Sequence, residues 1–371
     1  MSARKQRHKK RANRKLRRRS KPKSVARRTP SNADQLNVLL RWFLPNADIF
    51  AGLKLHGNTS WLPTSLVCLA LCWAWAENRH VTDAFETSVE QCRLLGLTSL
   101  NTYQGFMNAL ATWTDPLFRL LWPLLHQHME QVGGSFWRVG DWVPIAFDGS
   151  RSTAPRTKSA EQALCAPNYG HGKTAKYRKK KSKGMRRLKN EKNKPQAQAP
   201  QAWITLLWHM GLRLPWTWRL GPSNSSERKH VMEMLDEGKF PKNTLFCGDA
   251  GFVGYPLWSA IVARGQHFLV RVGANVELLT KMNCVRQKGG PVLSWPDAVR
   301  KSRQPPLELR LVHVKVGKTW MWMLTSVLDS RRLSNDQIVK LYAMRWGIEK
   351  CHPHSTPSCA LYFGLGAGIA A

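Results

Sequence analysis

VPIAFDGS, residues 143–150, is an apolar run that closes on an acid, a glycine and a serine, and its reading decides the fold. A short run rich in Val, Ile and Phe that meets a turn-forming pair reads as a strand. The stretch therefore predicts a β-strand over 143–147, with Asp148 where the strand gives way to a Gly-Ser turn. A hundred residues on, TLFCGD repeats the pattern, with a strand over 244–247 and Asp249 just past its end. Between the two, WITLLWH (203–209) and LPWTWRL (214–220) predict a pair of strands joined by a tight turn at Gly211. HFLVRV (267–272) predicts a fifth strand after a helical stretch from Tyr255 to Ala263. Strands followed by alternating strand and helix predict an α/β fold, a mixed sheet flanked by helices.

Two insertions interrupt this core, which spans 136–274. Lys173 to Lys194 (KTAKYRKKKSKGMRRLKNEKNK) is nearly all basic and reads as a mobile DNA-binding loop. The 275–328 stretch alternates with strand period (LELRLVHVKV, TWMWMLTSV), with Gly and Pro at its turns, and reads as a β-rich insertion forming a small subdomain. Upstream, 33–135 has helical periodicity: Leu36, Leu39, Leu40 and Phe43, then Tyr103, Phe106, Met107 and Leu110. Thr114 or Asp115 before Pro116 predicts a helix start, opening a segment with Leu117, Leu121, Leu124 and Leu125 on one side that Gly133 and Gly134 end. Two helices around LLGLTS, between Phe85 and Leu110, fit either a helix-turn-helix that reads a DNA end or an ordinary helical hairpin. Residues 1–30 form a basic tail without hydrophobic periodicity, expected to be disordered until it meets phosphate.

The 371-residue chain has 58 Lys and Arg against 23 Asp and Glu, a formal charge of +35 that calls for a polyanionic partner. Nucleic acid is the first candidate. The best apolar run, Ser65 to Ala76, is shorter than the roughly 20 residues a bilayer requires, so no membrane partner is expected. No secretory leader is recognised in the basic start, and the eight scattered cysteines lack C-x-x-C pairs, which suits a reducing cytoplasm. The 17 tryptophans lie mainly in apolar patterns, Trp203, Trp216 and Trp258 among them, and read as core rather than base-stacking platforms.

Two acids at strand ends can converge at one edge of a sheet, although Asp-Gly also simply makes turns. The third acid is Glu349. Ser334 to Gln337 is a capping box and Leu333 with Ile338 a hydrophobic staple, so the 333–350 segment predicts a helix with a clear start. Ile338, Leu341, Tyr342, Arg345 and Glu349 share one face, placing a charged pair in line with core-facing residues. Three carboxylates at one edge repel unless cations lie between them, and hard oxygen ligands suit Mg²⁺ or Mn²⁺, two ions in an in-line phosphoryl displacement.

FDGSR around Asp148, CGDAGFVGY around Asp249 and LYAMRWGIEK around Glu349 resemble the DDE transposases of the insertion-sequence-four group. The last piece fits that group's Y-x2-R-x3-E signature through Tyr342, Arg345 and Glu349, and the resemblance runs from about Leu36 to Lys350. It implies an RNase H-like catalytic core with a β-rich insertion before the glutamate helix. It also implies excision and insertion of a mobile element, with Asp148, Asp249 and Glu349 as metal ligands and Tyr342 and Arg345 contacting or positioning the terminal DNA. A homodimer on double-stranded DNA, associated with the nucleoid, is expected by the same resemblance. Lys173, Lys176, Arg178, Lys179, Lys180 and Lys181 are the candidate phosphate contacts of the basic loop. The resemblance stops after Lys350: Thr356 stands where the group has a basic residue, and Pro353 and Pro357 break the helical pattern of the 351–371 tail. A frameshifted or truncated gene copy, binding DNA without cutting it, is the expectation this raises. Cys351, His352, His354 and Cys359 are suitable zinc ligand types, but the first three are too crowded for usual finger spacings. A non-enzymatic nucleic-acid-binding protein and another RNase H-like nuclease are the remaining alternatives.

Overall fold

The structure is a computed structural model. It describes Asp34, Val38, residues 47–165 apart from 58, 79 and 98–99, then 200–272, 284–286, 291–296 and 305–348. The chain divides into two units, Met1–Pro45 and Asn46–Ala371. Of the first, Asp34 and Val38 are described, and both are helical. The basic tail, the Lys173 to Lys194 loop with its six candidate contacts, Glu349 and the 351–371 tail lie outside the described residues.

The second unit opens with three helices, α1 (Pro63–Trp75), α2 (Val81–Leu94) and α3 (Tyr103–Gly133). Phe106, fully buried on α3, holds them together: its ring lies 5.4 Å from Phe85 of α2 and 5.4 Å from Trp73 of α1. Cys68, Cys72 and Cys92 are buried and free between α1 and α2, with burial pushing the Cys68 thiol up to about 12. Among the described residues no helix is long and apolar enough to cross a membrane. The helix expected to start near Pro116 does not start there, because α3 runs through Pro116 and Pro123 without a break. Within the helix the Thr112 and Thr114 hydroxyls donate to the carbonyls of Asn108 and Leu110, so neither caps a new turn. Burial of Leu110, Leu117 and Leu121 along one stripe offsets the helix cost of proline, about 3 kcal/mol.

The core sheet follows: β1 (Val143–Thr153), α4 (Lys158–Leu164), β2 (Gln201–His209), β3 (Leu214–Gly221), α5 (Glu227–Glu237), β4 (Thr244–Gly248), α6 (Tyr255–Ala263) and β5 (His267–Val272). Strands β3, β2 and β1 are antiparallel neighbours, and β1, β4 and β5 are parallel ones, giving the order 3-2-1-4-5. This is the mixed sheet flanked by helices that an RNase H-like core requires. The remaining strands, β6 (Cys284–Arg286), β7 (Val292–Ser294), β8 (Leu307–Val316) and β9 (Thr319–Thr325), do not fold apart as a small subdomain. They prolong the same sheet, because β9 pairs antiparallel with β5 through Leu269↔Thr325 to Val272↔Trp322. The edge of β5 would otherwise leave a row of backbone donors and acceptors unpaired.

Each face of the sheet buries its own layer. On one, Ile145, Phe147, Phe246 and Phe268 pack with α5 and α6 through Val231, Leu235, Trp258 and Ile261. On the other, Ala146, Leu245, Cys247 and Leu269 pack with the last described helix, α7 (Asn335–Arg345), through Ile338, Leu341 and Tyr342. Trp216 and Trp258 are core as expected, whereas Trp320 at the β8–β9 turn is 58% exposed, with His313 stacked 4.8 Å from it.

His209 closes β2 inside the first layer's end, fully buried and stacked on Trp137 with centroids 4.7 Å apart. Burial pushes its pKa down from 6.5 to about 4, and His126, His230 and His267 move the same way for the same first cause. A depressed imidazole pKa means that the unfolded chain takes up the proton first. The stability from neutral His209 is thus complete above pH 6.5 and lost as pH falls toward 4, on the order of 3 kcal/mol from this residue. Thermal unfolding followed from pH 7 to pH 4.5 should show a steady fall in midpoint, shallower in His209→Gln. Equal slopes for the two proteins would remove His209 from the account.

Candidate active site

The site is built from the ends of two parallel strands. β1 and β4 are in register from Val143↔Thr244 to Ala146↔Cys247. Continued by two places, that register sets Asp148 opposite Asp249, and neighbouring strands lie about 4.8 Å apart. Asp249 keeps an extended backbone (φ −84°, ψ −170°), so the alternation of side chains persists to it. Asp148 and Asp249 therefore share the parity of Ala146 and Cys247, the residues facing the α7 layer.

The Asp-Gly-Ser sequence at 148–150 is strand, not the turn expected of it. β2 supplies ladder partners throughout, from Asp148↔Leu206 to Thr153↔Gln201, and an available ladder outweighs a local turn preference. The two strands thus end at different heights: β4 stops at Gly248 while β1 continues to Thr153. Past Asp148 the β4 side of β1 has no strand partner among the described residues, which makes a crevice at the carboxyl ends of the parallel strands, the usual ligand position in open α/β sheets. Both aspartates are half-buried there. Asp148 Oδ1 accepts from the Gly149 amide at 2.9 Å, and Asp249 Oδ1 accepts from the Gly251 amide at 2.8 Å, which orients each carboxylate.

α7 approaches the same crevice. Its capping box is formed in full: the Gln337 amide donates to Ser334 Oγ at 3.2 Å, and the Ser334 amide donates to Gln337 Oε1 at 2.8 Å. Ile338, Leu341, Tyr342 and Arg345 are its buried residues. Arg345 is only 3% exposed, with its guanidinium 5.3 Å from the Tyr342 ring centre and 5.2 Å from that of Trp346. It lies close enough to Cys247 to act on its thiol: burial pushes that thiol up to about 12, and the Arg345 charge opposes the rise. A buried cation thus stands beside β4 two residues before Asp249. Ile348 is fully buried in the same layer, immediately before Glu349.

Among the described residues the fold brings two of the expected acids together and gathers no group of three or more metal-binding side chains. The Tyr342 hydroxyl is buried without a hydrogen-bond partner among those residues. An unsatisfied buried hydroxyl costs about 1–3 kcal/mol, so Tyr342→Phe should stabilise the free protein by about 1 kcal/mol in denaturant unfolding. A destabilised variant would mean that the hydroxyl is satisfied in solution.

Glu227, the first residue of α5, packs against the β1 strand just past Asp148. Its side chain lies against Gly149, such that a Cβ on that glycine would stand 2.5 Å from Glu227 Oε1. A serine before an acid at a helix start was visible in SSERK, but only as a cap; Ser226 Oγ does accept from the Lys229 amide.

A family model described as "Transposase DDE domain" matches residues 143–352, a span that includes Asp148, Asp249 and Glu349. Among solved structures, the chain is similar to one described as "Cryo-EM structure of piggyBac transposase synaptic complex with hairpin DNA (SNHP)". The two are 13% identical, the match covers 90% of this chain and 73% of that one, and the TM-score is 0.38. Comparison with curated proteins gives no match.

Proposed function

Because the chain belongs to the transposase DDE domain family, whose model takes in more than half of it, we propose that it is a DNA transposase of the insertion-sequence-four group. It excises and inserts a mobile element by metal-dependent strand cleavage and strand transfer. The observation that carries the reading is the register that sets Asp148 opposite Asp249 at the mouth of an open crevice. A protein that only bound nucleic acid through its charge would have no need of paired carboxylates there.

The residues fit a hard divalent cation. Asp148 and Asp249 offer carboxylate oxygens from adjacent strands, each held in orientation by a backbone amide, and Glu349 follows directly on the buried Ile348. These three would hold Mg²⁺ or Mn²⁺. Two such ions, when bound, stabilise the attacking and leaving oxygens of an in-line phosphoryl displacement. The protein's own part is to exclude water from the α7 layer, keep the carboxylates aimed into the crevice, and position the DNA end. Arg345 and Tyr342 position that end, the first by its charge and the second by a hydroxyl that has no hydrogen-bond partner among the described residues. The same Tyr342→Phe change should therefore lower cleavage while raising stability.

Lys173, Lys176, Arg178, Lys179, Lys180 and Lys181 give phosphate affinity without sequence information, and the affinity should fall steeply with salt. A homodimer pairs two element ends, in a nucleoid-associated cytoplasmic setting. The test is cleavage and joining of a labelled element-end duplex with Mg²⁺ or Mn²⁺ against chelator. Products that require the ion and contain joined strands support the transposase. Cutting without joining favours a nuclease, and binding without any product favours an inactive DNA-binding copy.

A further inference from the structure

On the reading of this chain as a protein that acts on DNA, we propose that the tip of the β8–β9 hairpin is a second nucleic-acid contact. It is an aromatic platform on which Trp320 stacks an unpaired base of a single DNA strand. The hairpin reaches out from the sheet as an arm. β7 pairs with β8 only as far as Leu309, and β5 pairs with β9 only from Trp322 onward. From Val314↔Met321 to Val316↔Thr319 the two strands therefore pair only with each other among the described residues.

The two faces of this arm differ. Val312, Val314 and Met321 are buried in the α7 layer, so by strand alternation His313, Lys315, Trp320 and Trp322 share the other face. There the His313 imidazole stacks on both indoles, with centroids 4.3 Å from Trp322 at 21° and 4.8 Å from Trp320 at 29°. Trp322 is half-buried, whereas Trp320 is 58% exposed. A cross-strand pair of rings stabilises a hairpin, and His313↔Trp322 supplies that pair. Trp320, one step nearer the turn, adds a large ring that the hairpin leaves mostly in water. With His313 against it, the indole is held before any ligand arrives, so less side-chain freedom is lost on binding.

The charge around the ring selects the partner. Lys315 is the cross-strand neighbour of Trp320, Lys318 stands two residues before it in the turn, and both are exposed. No acid occurs from Leu309 to Thr325. A flat exposed ring with cations nearby and no carboxylate suits a nucleic-acid strand, whose phosphates meet the lysines while a base meets the indole. An apolar protein partner would have no use for the two ammonium groups. Bases inside a duplex are covered by their neighbours, so an unpaired base is the form that reaches the platform. Asp148 and Asp249 have the parity of the α7 layer, which sets this contact on the other face from the crevice.

The test compares binding of the full chain to a labelled oligothymidine strand and to an abasic strand of equal length, at one salt concentration. Both carry the same phosphates, and only the first carries bases. The parent should bind oligothymidine about tenfold more tightly. Trp320→Ala should lose that preference while binding the abasic strand as the parent does. Trp320→Leu, which keeps apolar bulk without a flat ring, should lose it as well, and Trp320→Tyr should keep most of it. Lys315→Gln should weaken both strands alike. Thermal unfolding and sedimentation velocity are measured alongside. Lost preference at an unchanged midpoint supports the platform. A Trp320→Ala protein with the parent's preference overturns it, as does a parent that binds both strands equally, since charge alone then holds the strand. If Trp320→Ala keeps the preference but no longer self-associates, the tip is an interface between copies and the platform is again overturned. A parent that retains neither strand nor an element-end duplex takes the DNA reading down with it.

Discussion

Asp249→Ala is expected to reduce metal-dependent strand cleavage on the order of a thousandfold, the upper range for losing one electrostatic contact to a transition state. Asp249 is half-buried at the end of β4, and its Oδ1 accepts from the Gly251 amide at 2.8 Å. Removing the carboxylate takes away one of two oxygen donors aligned across the β1–β4 register. It also removes a cap on the following turn, which costs about 1 kcal/mol, too little to unfold the chain. DNA affinity should hardly change, since most of the +35 charge lies in basic stretches remote in sequence from this residue. The measurement is single-turnover cleavage of labelled duplex in Mg²⁺, with DNA retention measured in parallel. A variant that cuts at the parent rate would sink the assignment of Asp249. Asp148→Ala should behave in the same way.

Leu341→Ala should show the largest loss of stability among single changes in α7, about 2–5 kcal/mol. Leu341 is fully buried in the layer that joins α7 to β4 and β8, between Ile338 and Tyr342. Its truncation leaves a cavity at the point where the helix docks on the sheet. Denaturant unfolding gives the stability, and a lower midpoint with an unchanged slope identifies a loss confined to packing. Cleavage should fall even at temperatures where the variant stays folded, because this layer and the capping box hold α7, which carries Arg345 and ends there rather than running on to 350 as its sequence pattern predicts. Lys340→Ala, on the exposed side, should lie within about 0.5 kcal/mol of the parent and cut normally. Similar stabilities for the two variants would show that α7 does not depend on its buried stripe.

The local elements were legible because local physics specifies them. The helix over Tyr255–Ala263 and the strand over His267–Val272 are found at the residues their patterns indicate. So is the start of α7, where a reciprocal cap and a staple require only six consecutive residues. Misreadings arose wherever a partner distant in sequence overrode a local preference. Pro116 is a good helix start in isolation, yet continuous burial along α3 carries the helix through it. Asp148-Gly149-Ser150 is a good turn in isolation, yet the β2 ladder holds it extended. The β-rich stretch after 275 had the right period but no visible destination, since the edge of β5 that receives β9 is a property of the assembled sheet.

By itself, then, the amino-acid sequence determined the class of the fold, the basic character that demands a polyanion, and the motifs around Asp148, Asp249 and Glu349. Only the tertiary structure decided that Asp148 and Asp249 stand side by side, that β4 stops where β1 continues, and that α5 brings Glu227 over Gly149. The reason is the range of the interactions. Periodicity, caps and turns are encoded within a few residues, whereas parallel strand register and helix docking are settled by which buried faces meet, a choice made between segments far apart in the chain.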